Sequence, residues 1–165
     1  SMLSTVSALG AQNIGAGKPE RAVATLRYAL LITGGFGVVM AVLFQWIATG
    51  AVALFTPDAA VAAAGGVYLR GYILDCAFAG IHFSFSGYFC ARGKSGLSFL
   101  HNLLAILLVR IPGAYLASRW FPNTLLPMGL ATAAGSLCSV AVCLIAFAVI
   151  RQRDRQALPD QDLPR

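Results

Sequence analysis

Of the six carboxylates in this 165-residue chain, Glu20 and Asp58 fall in polar turns, Asp154, Asp160 and Asp162 fall in the tail, and Asp75 alone falls inside an apolar stretch. An acid at membrane depth costs about 3 kcal/mol or more, so it must face a bundle interior, a water-filled cavity or a partner. Two chemistries fit such a group: reversible binding of a cation or a proton, and a buried ion pair. The partner for a pair is Arg110. It lies about as deep in its own apolar stretch as Asp75 does in the preceding one, within a turn at ~1.5 Å per residue. Tyr68 and Tyr72 precede Asp75 by seven and three positions, and His82 and Ser86 follow it by seven and eleven. On one continuous helix these spacings put all five near the same face. His82 can relay protons because imidazole titrates near neutrality. A lone histidine on an apolar helix also serves as a hydrogen-bonded packing residue, and both readings apply to His82 and His101.

The elements that must position these groups are membrane spans. Hydrophobic residues make up 58% of the chain, charged residues only 11%, and the mean hydropathy is +0.76, far too apolar for an ordinary water-soluble domain. Four long apolar stretches, at 28–55, 66–91, 97–117 and 125–150, can each supply the roughly 20 helical residues that a bilayer core requires. Residues 1–14 are helix-compatible but too few to cross, and read as the end of a helix that begins before them. Between them and the first full stretch lies Gln12-Asn13-Ile14-Gly15-Ala16-Gly17-Lys18-Pro19-Glu20-Arg21-Ala22. Glycine suits the close of one helix, Pro19 the first turn of the next, and Glu20 the positive end of its dipole.

The net charge of +6 comes from basic residues placed at the ends of apolar runs. Lys18, Arg21 and Arg27, then Arg92 and Lys94, then Arg151, Arg153 and Arg155 fall on one side of a four-crossing topology, and the opposite turns hold almost none. The positive-inside rule makes the basic side cytoplasmic, with residues 151–165 as a polar, disordered cytoplasmic tail, and Trp46, Trp120 and Phe121 as anchors near the outer surface, Trp46 reading equally as a buried aromatic. Arg70, close to that same surface, reads as a snorkelling anchor in preference to a substrate contact. Scattered basic residues without an aromatic platform exclude a nucleic-acid partner. Cys76, Cys90, Cys138 and Cys143 lack metal-ligand spacing, which excludes a resident metal beyond a transient Na+ at Asp75. Gly15-Ala16-Gly17 lacks the Gly-Lys-Ser/Thr ending of a nucleotide loop. No nucleophile–base pair marks an enzyme, and no cofactor is implied. Asn102 is expected to bridge helices by hydrogen bonding. Pro112 is expected to kink its span or free a carbonyl.

The Gln12–Ala22 connector resembles the loop that joins two transmembrane helices in the multidrug and toxic compound extrusion (MATE) transporters. The resemblance continues through Tyr68–Asp75, Gly80–Phe89, Gly93-Lys94-Ser95, His101-Asn102 and Leu108–Pro112, in the family's order, over about residues 3–150. It implies an all-α integral membrane bundle corresponding to the end of helix 8 plus helices 9 to 12 of a twelve-helix, two-lobe fold, with the first lobe lying outside this chain. It also implies a multi-pass protein of the cell membrane, in bacteria the inner membrane. The expected activity is secondary active efflux of cationic or amphipathic organic compounds against Na+ or H+, with membrane lipid and the N-terminal helices of the complete transporter as partners, and the chain is expected to be inactive alone. By the same resemblance Asp75 takes the coupling cation with help from Tyr68 or Tyr72, while a second acid on helix 7 is missing. A lipid-linked glycan flippase of the same superfamily and a structural membrane bundle are the alternatives.

Overall fold

The computed structural model describes residues 1–157, all of whose regular elements are helices. Residues 158–165, most of the expected tail, lie outside the described residues. Helix α1 runs Met2–Gly15 and α2 Pro19–Ala53. The turn between them closes at Gly17, whose φ of 71° is the left-handed conformation that glycine adopts without strain. Pro19 stands in the first turn of α2, where its missing N–H costs no hydrogen bond, and Glu20 lies beside it. With both signals acting, α2 begins nine residues before the apolar stretch does and reaches 35 residues, about 52 Å at ~1.5 Å each.

Asp58 starts α3 (Ala59–Tyr72) by accepting hydrogen bonds from the Ala60 and Val61 amides, at 2.8 and 3.3 Å. The expected span at 66–91 is a broken one. Helix α3 gives way at Ile73 to α4 (Leu74–Ala91), and the two meet at a bend of 41°. The bend falls two residues after Gly71, where the α3 backbone lies against α7 so closely that a Cβ there would meet the Leu126 carbonyl oxygen at 2.7 Å. No proline marks this break in the sequence.

The third span is likewise composite: α5 (Ser95–Ala105), a π-helical turn at Ile106–Arg110, and α6 (Ile111–Trp120). Proline at 112 cannot donate to the Leu108 carbonyl and its ring crowds that oxygen. The wider π turn immediately before it relieves the conflict without ending the span. Helix α7 (Leu126–Ala157) continues seven residues beyond the expected boundary at Ile150, so the first part of the expected disordered tail is helical. Asp154 holds that extension in place by accepting two hydrogen bonds from Arg92, at 2.6 and 2.8 Å.

Among the described residues, three helices are each long and apolar enough to cross a membrane: α2, the α5–π–α6 unit and α7; α3 and α4 meet the same test together. The basic turns converge at one end of the bundle, where Arg92 meets Asp154 and Arg151 meets Glu20. Near that end the core is aromatic. Phe85 and Tyr88 lie against Phe147 at ring separations of 5.7 and 5.4 Å, packed with Val6, Leu26, Phe89 and Cys143. Toward the opposite end small residues replace them, and α2 and α4 touch at Gly37 and Ala77. Polar side chains occupy the interior of that half and of the level beside the aromatic core, where Ser86 follows Phe85 on α4.

Candidate functional site

Helices α4 and α7 and the composite third span enclose two polar layers. The layer nearer the bend centres on Asp75, in the first turn of α4 and only 6% exposed. A carboxylate suits that position because the amino end of a helix carries partial positive charge. Arg110, the last residue of the π turn, donates from Nη2 to Asp75 Oδ1 at 3.1 Å and Oδ2 at 3.4 Å, and from the same nitrogen to Ser136 Oγ at 2.6 Å. Its aliphatic stem lies against Gly135, where any side chain would collide with it. One guanidinium nitrogen therefore serves both carboxylate oxygens and a hydroxyl. A two-nitrogen fork would hold the acid more firmly.

The second layer lies toward the basic end. His101 on α5, 2% exposed, is hydrogen-bonded at Nε2 to Ser86 Oγ of α4 at 2.7 Å and at Nδ1 to Ser139 Oγ of α7. Ser139 also donates to the His101 carbonyl at 3.4 Å. His82 lies edge-on to His101, with ring centroids 5.5 Å apart, and its buried Nδ1 has no hydrogen-bond partner among the described residues.

The residues singled out in the sequence therefore separate. Asp75 and Arg110 are brought together, and His82 sits beside the second layer. Tyr68 and Tyr72 stack on each other at 5.7 Å, and among the described residues neither hydroxyl hydrogen-bonds to Asp75. A single stripe through all five positions assumes an unbroken helix, whereas the bend at Ile73 divides the two tyrosines from the acid. Asn102 is exposed and makes no side-chain hydrogen bond to another helix among the described residues, unlike the expected bridge. Ser136 and Ser139 carried no sequence signal as isolated serines. Their three-residue separation on one helix face was the sign available.

This is a polar interior built from helices broken or widened beside it, within a bundle of membrane-spanning length. A family model described as MatE matches residues 1–116. The chain belongs to the MatE family. As a MatE protein it is a transporter of the MATE superfamily rather than a member of an enzyme family, and its apolar helices make it a multi-pass membrane protein. Neither the curated proteins nor the solved structures gave a match. The MatE match covers Asp75, His82, His101 and Arg110; the serines that complete both layers, on α7, lie beyond it.

Proposed function

We propose that this MatE chain forms part of the cation-coupling lobe of a secondary active exporter, one that expels cationic or amphipathic organic compounds in exchange for Na+ or H+. One observation carries the reading: the acid buried within the spans is held by a single arginine nitrogen that also serves a serine. In the resting arrangement Arg110 neutralises Asp75. A Na+ or proton arriving at the carboxylate replaces that positive charge, and the released Arg110 keeps a hydrogen-bond partner in Ser136. Occupancy then biases the lobe between two arrangements, because the charge that pinned α4 to the π turn has been substituted. Tyr68 and Tyr72 would contribute oxygens only after the bend at Ile73 has altered, and His82 with His101 provides a route for protons deeper in the lobe. The basic end is cytoplasmic in this reading, by the positive-inside rule.

The test is efflux of a fluorescent organic cation from vesicles holding the complete two-lobe transporter, under imposed Na+ or proton gradients. Asp75→Asn should abolish gradient-driven export while leaving the protein inserted. Undiminished coupled export by that variant would remove Asp75 from the mechanism.

A further inference from the structure

Among the described side chains, pairing of the charges leaves one half-buried cation over. Arg110, Arg92 and Arg151 face Asp75, Asp154 and Glu20 respectively. Arg70 on α3 has no acidic partner among the described residues, and its Nε is buried without a hydrogen-bond partner. Gln45 reaches across from α2 but donates to the Arg70 carbonyl at 3.2 Å, leaving the guanidinium free.

Arg70 stands at one end of an apolar groove of about 660 Å3 that runs between α2, α3–α4 and α7. Its length follows both helices for eleven positions, from Gln45 back to Gly34 and from Arg70 on to Ile81, about 16 Å at ~1.5 Å per residue. Leu126 and Leu130 wall it from α7. The charged end also has a definable depth. The first turn of α7 meets α3 at Gly71, next to Arg70, while Trp46 follows Gln45 and Trp120 ends the helix before the turn into α7. Both tryptophans are exposed near this end of the groove, and exposed tryptophans at the ends of spans mark the headgroup boundary. The guanidinium thus sits at headgroup depth and the apolar length of the groove runs into the hydrocarbon.

We infer that this groove binds an anionic phospholipid, its phosphate on Arg70 and one acyl chain laid along α2 and α4. A guanidinium presents paired donors that match phosphate oxygens, and nothing else on the groove's surface offers this charge an anion. The same charge disfavours an organic cation there, so the site is separate from the transport reading and does not depend on it.

Native mass spectrometry of the detergent-purified chain, titrated with phosphatidylglycerol or phosphatidylcholine, tests the assignment, with helical content checked by circular dichroism for every variant. Phosphatidylglycerol should be retained preferentially. Arg70→Gln should lower that retention by about five-fold, the factor expected for one basic contact at a membrane surface, and leave phosphatidylcholine unchanged. Arg70→Lys should keep most of the preference. Val38→Trp, which fills the groove from an exposed position on α2, should lower retention of both lipids. Equal retention of the two lipids by the parent chain would overturn the inference, as would an equal loss in Arg27→Gln at the basic end. A dimer that Val38→Trp dissociates, without lipid adducts, would assign the groove to a second copy instead.

Discussion

Among the described residues two arginine–aspartate pairs hold this bundle, and they differ in how they do so. At the basic end Arg92 uses two nitrogens for the two oxygens of Asp154 and hydrogen-bonds the Tyr88 hydroxyl at 3.1 Å. Burial works against its charge, yet the bonds to Asp154 and Tyr88 leave the Arg92 guanidinium above its ordinary pKa. The interior pair uses one nitrogen for everything: 3.1 and 3.4 Å to Asp75, 2.6 Å to Ser136. Geometry is thus better where the acid is half-exposed than where it is buried, although the Arg110 side chain is 31% exposed against 21% for Arg92. For a purely structural role the reverse is expected, because a buried carboxylate offsets its desolvation only with excellent geometry. The difference separates a clamp, which fixes where a helix ends, from a contact that can be exchanged.

The largest effect should come from breaking the interior pair on one side only. Arg110→Met leaves Asp75 buried and uncompensated and should destabilise the chain by about 3–5 kcal/mol, read by denaturant unfolding in micelles. The double variant Arg110→Met with Asp75→Leu should recover most of that loss. If the single variant costs no more than the double, the buried carboxylate is not the liability that the comparison makes it. His101 offers a sharper and smaller test. Ser139→Ala deprives the ring of its Nδ1 partner and should cost about 1–3 kcal/mol. Ser139→Thr, which restores a hydroxyl, should recover part of it. The smallest effect belongs to the clamp: with Asp154 half-exposed, Arg92→Gln should cost about 1 kcal/mol or less. Its signature should be local, with faster amide exchange confined to residues 151–157 of α7. A cost equal to that of Arg110→Met would erase the distinction between the pairs.

Legibility in the sequence followed how local each cause is. The spans were readable from apolar length, the α1–α2 turn from Gly17, Pro19 and Glu20, and the disturbed third span from Pro112, because each signal acts on its own neighbourhood. Asp75 was conspicuous for its setting, and matching depths gave Arg110 as its partner. The bend at Ile73 was not readable: it accompanies the close approach of Gly71 to α7, some 55 residues later in the chain. Nor was the role of His101, whose two partners come from two other helices and whose bonds depend on how three elements pack. The polar run after Ile150 resembles a loose tail by composition, and only the distant Arg92 explains why it continues as helix. Asn102 misled for the same reason, since its residue type suits a helix contact but its face turns outward.

The π turn has one more consequence, in angular terms. His101 and Arg110 are nine positions apart, which in a regular α-helix at about 100° per residue sets two side chains on opposite faces. Yet both reach α7, at Ser139 and Ser136. The π turn holds one residue more than an α turn and takes back roughly 100° of that rotation. A single surplus residue ahead of Pro112 thus re-phases the span, and one helix supplies both polar layers where a regular one would aim its arginine away from the lobe.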